Sequence, residues 1–123
     1  MEVIITDSKE AAEQTTANII ASKIMKKKDA LLGLATGRTM EALYSILIEK
    51  HKSEELDFKN ISTVNLDEYV GLAGDHEQSY RFYMNKHLFS QVNLQDENTH
   101  LPNGVAADIP AECKRYEKII SDK

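Results

Sequence analysis

The chain has 123 residues, enough for one domain with a buried core, and its 41% hydrophobic and 28% charged residues are those of an ordinary globular protein. A net charge of -5 argues against general attraction to nucleic acid or to an anionic membrane surface, although it leaves room for a small local anion pocket. No apolar run nears the ~20 residues that span a bilayer, and the one cysteine, Cys113, excludes an internal disulfide.

The opening residues are strand-like rather than basic and then long and apolar, so no secretory leader is expected, and a reducing cytoplasm is the expected location. Glu2 to Thr6 is β-rich and reads as a first strand. Asp7 and Glu10 have the spacing of a helix cap and its reciprocal partner. Ala12, Ile19, Ile20 and Ile24 then recur at helical spacing, which predicts an amphipathic helix from Ser8 to about Lys27. Lys26, Lys27 and Lys28 suit its carboxyl end, where cations complement the helix dipole.

Ala30 to Ala35 is a near-continuous apolar run of the kind found in a parallel strand buried on both faces. A polar turn, Thr36-Gly37-Arg38-Thr39, separates it from a second helical face of Met40, Leu43, Tyr44, Leu47 and Ile48. Lys52 to Asn60 reads as a polar connection and Ile61 to Leu66 as the next strand. Asp67 to His76 is a loop with Gly71 and Gly74, followed by a third helix marked by Tyr80, Tyr83, Met84, His87 and Leu88. Asn98 to Leu101 reads as a short strand, and Pro102-Asn103-Gly104 as a strong turn. Ile109, Cys113, Tyr116 and Ile120 mark a last helix with Pro110 in its first turn, and Cys113 is expected to be a small buried hydrophobe. Alternating strands and helices predict an α/β domain over residues 1–123, with a parallel sheet and helices packed on it.

In such a sheet, ligands bind beyond the carboxyl ends of the strands. Two segments fall there. Thr36 to Thr39 leads from a buried strand into a helix, whose free N–H groups and dipole suit a phosphate. Gly37 would admit a close backbone approach, Thr39 a hydroxyl and Arg38 a cation. The segment is neither a Walker loop nor GxGxxG, and as a bare pattern it reads equally well as a plain turn with Thr39 as the helix cap. The second segment, Asn65-Leu66-Asp67-Glu68-Tyr69, puts two acids directly after an apolar strand. Partial desolvation there would tune a carboxylate toward a base able to take a proton next to a carbonyl. Alone, such a pair reads more simply as an acidic cap of the following turn.

These segments occur in order with others: Leu32-Gly33-Leu34-Ala35-Thr36-Gly37, Asn65 to Leu72 (NLDEYVGL), Ser79-Tyr80 with Tyr83-Met84-Asn85, Leu101 to Gly104, and Glu112-Cys113 with Tyr116-Glu117. Over essentially its whole length the chain resembles the N-terminal part of the glucosamine-6-phosphate deaminase (isomerase) family. The NLDEYVGL stretch separates that family from its structural relatives, the 6-phosphogluconolactonases and ribose-5-phosphate isomerases. The resemblance implies a Rossmann-like three-layer fold, with a parallel sheet between helices on both faces, apparently truncated. It also implies conversion of glucosamine 6-phosphate and water to fructose 6-phosphate and ammonia in amino-sugar catabolism, with no cofactor and no metal. Asp67 would be the catalytic base that takes the C2 proton. Thr36, Gly37, Arg38 and Thr39 would hold the substrate phosphate, and Glu68 would share in substrate binding.

The chain departs from the family pattern at Arg38, where a small residue is usual, at Met40 in place of proline, and at Glu77 in place of the proline after His76. Family members continue into a Gly-x-x-Gly-His-x-x-Phe-Asn-Glu loop carrying the ring-opening histidine. His51, His87 and His100 do not match it. The alternatives to an enzyme are a shortened, non-catalytic module that binds sugar phosphate or a partner chain, and an interaction domain without a ligand. A half-sheet with an uncovered face further predicts a homo-oligomer, or another association through the exposed sheet surface. No nucleic-acid or membrane partner is expected.

Overall fold

A computed structural model describes all of residues 1–123. Four helices, α1 (Lys9–Lys26), α2 (Arg38–Lys52), α3 (Tyr80–His87) and α4 (Ile109–Asp122), alternate with three strands, β1 (Leu31–Leu34), β2 (Ser62–Asn65) and β3 (Thr99–His100). The strands form one parallel sheet in the order β1-β2-β3. Leu32 lies opposite Thr63, and Thr63 opposite Thr99.

Because side chains alternate across a strand, that register sorts the two faces. Leu34, Ile61 and Leu101 lie on one face and join a core with Ala17, Ala21 and Ile24 of α1, Leu43, Tyr44 and Leu47 of α2 and Met84 of α3. Leu31, Gly33, Ser62, Val64 and His100 point the other way. Helix α4 lies on that side: its Tyr116 is tied to Asn65 and His100, and Arg115 and Lys123 act on His100. Val64 and Tyr116 are the two buried apolar residues outside the main core. Gly33 remains exposed and Leu31 only half-buried, so α4 covers this second face in part. The architecture is the expected α/β sheet with helices on both faces.

Several local expectations are corrected. Residues 2–6 form no strand; Val3 and Ile5 are exposed, and the segment pairs with nothing. A strand exists only through a partner, and β-propensity alone does not provide one. Helix α1 is capped by Ser8, whose side chain accepts from Ala11 N, rather than by Asp7. The buried face of α1 is Ala17, Ala21 and Ile24, while Ile19 is 57% exposed. Small alanines allow α1 to approach α2, so the close-packed face is not the greasiest one. The connection before β2 is not wholly polar: Leu56 and Phe58 are buried, and Asn93 holds Phe58 by accepting its N–H at 2.9 Å. Cys113 is exposed rather than buried, because Tyr116 makes the inward contact of α4. No helix is long and apolar enough to cross a membrane.

Candidate active site

The carboxyl ends of β1 and β2 lie side by side, since Leu34 pairs with Asn65. The two sequence-predicted segments are therefore neighbours, although about thirty residues separate them in the chain. Asn65, 2% exposed, links them: its amide Nδ2 donates to Leu34 O at 3.0 Å. Its Oδ1 has no partner.

After β1 the backbone passes Ala35 and Thr36 and enters α2 through Gly37, the cap residue. Gly37 has φ of +111°, a region glycine tolerates because it lacks Cβ. No side chain caps this helix, and Thr39 lies inside its first turn instead of serving as the cap. Apart from the Met40 N–H, which returns to Gly37 O at 3.0 Å, the first N–H groups of the helix are left without a protein acceptor. Arg38 and Thr39 are exposed, Thr36 is half-buried, and Arg38 forms no ion pair. An open helix terminus with a nearby guanidinium is suited to an anion.

After β2, Leu66 and Asp67 emerge into solvent. Asp67 is exposed, so the partial desolvation expected for it is not supplied by the atoms around it here. Glu68 has a different task. Its Oε1 accepts from Tyr69 N at 2.9 Å and Tyr80 N at 2.8 Å, and its Oε2 from Arg81 N at 2.9 Å. The carboxylate thus occupies the amino end of α3 beside the Ser79 cap, and its placement favours anchoring this helix over touching a substrate. Arg81 extends the brace. It donates to Thr99 Oγ1 at 2.7 Å and to Thr99 O at 3.0 Å, and its guanidinium lies 5.7 Å from the Phe89 ring centre.

Sequence reasoning missed the tyrosines. All five of them serve this end of the sheet. Tyr44, fully buried in α2, pairs its hydroxyl with both the N–H and the carbonyl of Ala35, and burial pushes its phenol well above the ordinary value. Tyr83 of α3 donates to Gly37 O at 2.6 Å. Tyr116 of α4 accepts from Asn65 N at 3.2 Å and lies 2.6 Å from Asn65 O and 2.8 Å from His100 O. Tyr80 donates to Tyr69 at 3.2 Å, with ring centres 4.6 Å apart. Loop backbone groups leaving a sheet have lost their strand partners, and a tyrosine supplies an apolar body with a polar tip to satisfy them. For Tyr44, Tyr83 and Tyr116 the signal in the sequence was the choice of tyrosine at apolar helix positions; the backbone group each hydroxyl would reach was not legible.

The loop that carries Asp67 is also fixed from beneath. Gly71 N donates to Gly104 O at 2.7 Å, and Glu112 accepts the Asn103 N–H at 2.8 Å. Arg115 holds the Glu112 carboxyl down at about 2, with the Asn103 N–H assisting. A hollow of about 250 Å3 opens between this loop and α4, lined by Leu66, Asp67, Val70, Ile109 and Tyr116 among others. A larger hollow, near Ile4, Ile19 and Leu32, lies at the far edge of β1. No group of three or more His, Cys, Asp or Glu converges as a metal site would require.

An α/β sheet with an anion-suited helix terminus and an adjacent carboxylate at its carboxyl edge defines the broad class. Within it, the chain belongs to the family of glucosamine-6-phosphate isomerases and 6-phosphogluconolactonases, whose model matches residues 6–123. It is 46% identical over 120 residues to a glucosamine-6-phosphate deaminase of Geobacillus sp., covering 98% of this chain and 48% of that protein. It is also 46% identical over 122 residues to the Clostridium beijerinckii glucosamine-6-phosphate deaminase, covering 99% of this chain and 50% of that one. A solved monomeric glucosamine-6-phosphate deaminase superposes with a TM-score of 0.95 at 46% identity, over 99% of this chain and 51% of its own. The 6-phosphogluconolactonase of Thermotoga maritima shares the fold, with a TM-score of 0.70 at 20% identity, over 98% and 53% of the two chains. The chain spans about half the length of the curated relatives it matches.

Proposed function

We propose that this chain carries the base and phosphate-holding part of a glucosamine-6-phosphate deaminase site. The observation that carries the reading is the adjacency of two strand ends, with Asp67 following β2 beside the uncapped start of α2, and relatives at 46% identity are named glucosamine-6-phosphate deaminases. In this reading the phosphate of glucosamine 6-phosphate rests on the N–H groups of Gly37, Arg38 and Thr39, with the hydroxyls of Thr36 and Thr39 and the Arg38 cation around it. That anchor holds the opened sugar so that C2 lies at Asp67. The carboxylate takes the C2 proton as its bonding pair forms the C1–C2 double bond and the C1=O π pair moves to the oxygen, which takes a proton from water; the proton on Asp67 is then returned to C1 as the nitrogen lone pair forms the C2=N bond and the C1–C2 double bond opens. Water then hydrolyses the resulting imine at C2, giving fructose 6-phosphate and ammonia. The exposure of Asp67 and Leu66 leaves this side of the site open to the substrate.

The alternative is a non-catalytic sugar-phosphate binding module, which relatives named glucosamine-6-phosphate deaminases at 46% identity do not favour. The discriminating experiment is ammonia release from glucosamine 6-phosphate, with Asp67→Asn alongside. Release abolished by that substitution supports the deaminase, and release insensitive to it removes Asp67 as the base. Saturable sugar-phosphate binding without release supports the binding module.

A further inference from the structure

Tyr80 occupies a position that neither proposed role of the site uses. It begins α3, and its backbone N–H is fixed on Glu68, the neighbour of Asp67. Its ring packs on Tyr69 and its hydroxyl donates to the Tyr69 hydroxyl at 3.2 Å. One turn along the same helix, Tyr83 donates to Gly37 O at 2.6 Å, on the loop after β1, while Glu68, next to Asp67, belongs to the loop after β2. Helix α3 thus touches both the phosphate-side loop and the base-side loop, and Tyr80 stands one turn from the first contact and at the second. Its hydroxyl can be counted out. A phenol has one proton and two acceptor lone pairs. The proton goes to Tyr69, no protein group donates to the oxygen, and the half-buried ring leaves its acceptor side accessible.

We infer that Tyr80 is a substrate-positioning residue whose phenol oxygen accepts a hydrogen bond from a hydroxyl of the sugar chain lying between the phosphate on Thr36–Thr39 and the carbon at Asp67. The inference rests on the proposed sugar-phosphate site. It assigns to Tyr80 the polyhydroxylated middle of the ligand, between the two ends that the loops hold. The class of ligand follows: a phosphate ester with a donating hydroxyl is favoured over a bare phosphate. Glu68 positions Tyr80 by holding its N–H, and Tyr69 orients the phenol by taking its proton, so the remaining acceptor is fixed before a ligand arrives.

Tyr80→Phe is the test, because it retains the ring, the Tyr69 stacking and the Glu68 contact. Titration of this chain with glucosamine 6-phosphate and, separately, with inorganic phosphate should show the variant weakened roughly five- to tenfold for the sugar phosphate. Inorganic phosphate affinity should be unchanged, with a coincident melting curve. Equal weakening for both ligands would mean that Tyr80 merely shapes the phosphate loop, and would overturn the inference, as would a sugar-phosphate affinity indistinguishable from wild type. The Tyr80 ring resonances of the wild-type chain give a second readout and should shift on saturation with the sugar phosphate; unshifted resonances count against the contact. If the wild-type chain binds neither ligand, the proposed function itself fails, an outcome distinct from failure of Tyr80→Phe alone.

Discussion

Gly104→Ala probes how rigidly the loop that carries Asp67 is held. Gly104 is buried in the turn after β3. A Cβ built there would lie 2.1 Å from Tyr69 O, 2.8 Å from Leu72 O and 3.3 Å from Tyr69 C. These are rigid backbone atoms two and five residues beyond Asp67. Relief of the shortest contact to ordinary van der Waals separation requires a displacement of roughly 1 Å or more. The Gly71 N to Gly104 O hydrogen bond of 2.7 Å cannot survive such a shift unchanged. Overpacking costs about 1–3 kcal/mol and the lost hydrogen bond about 1 kcal/mol, so a loss of about 2–4 kcal/mol is expected. For a chain of this size that lowers Tm by roughly 8–16 °C. Thermal and urea denaturation read the stability. Amide chemical shifts of Tyr69 to Leu72 read the loop, and those of Ser62 to Val64 serve as the control. A Tm within about 2 °C of wild type, with unshifted loop amides, would refute the packing argument. Should the chain deaminate its proposed substrate, a ~1 Å misplacement of Asp67 would cost on the order of a hundredfold in rate.

Two further outcomes follow from the same region. Glu68→Ala removes the shared acceptor of Tyr69, Tyr80 and Arg81 N–H groups; a loss of about 2–3 kcal/mol is expected, with faster hydrogen exchange at Tyr80 and Arg81, and unchanged protection there would exclude the anchoring role. His100 is held below its ordinary pKa by burial first, then by Lys123, Arg81 and Arg115, and its Nε2 is buried without a partner. The unfolded chain therefore binds this proton more readily than the folded one, so stability is full above about pH 6.5 and falls as pH drops below it. Urea midpoints from pH 7.5 to 5.5 should decline for wild type and decline less for His100→Gln; parallel slopes would show that His100 carries no part of the dependence.

Much of the fold was legible because its signals are local. The apolar run ending at Leu34, the β-branched run ending at Asn65 and the apolar spacing of Met40 to Ile48 each specify an element by its own periodicity. Their alternation then implies a parallel sheet, whose carboxyl edge places Thr36–Thr39 and Asp67 together before any contact is known. Glu2 to Thr6 shows the limit, because a strand depends on a partner that no propensity supplies. The buried face of α1 shows it again: Ile19 is the more hydrophobic residue, but Ala17 and Ala21 fit the closer helix pair.

The sequence by itself determined the α/β alternation, the family resemblance and the two segments at the strand ends, since each is written in neighbouring residues and their spacing. Only the tertiary structure decided what those residues do to one another. It turned Glu68 onto the amino end of α3, left α2 without a side-chain cap, and brought five tyrosine hydroxyls from three helices and a loop to the same edge of the sheet. The physical reason is that a hydrogen bond depends on separation in space, and Tyr83 meets Gly37, and Tyr116 meets Asn65, across stretches of chain that carry no local record of the encounter.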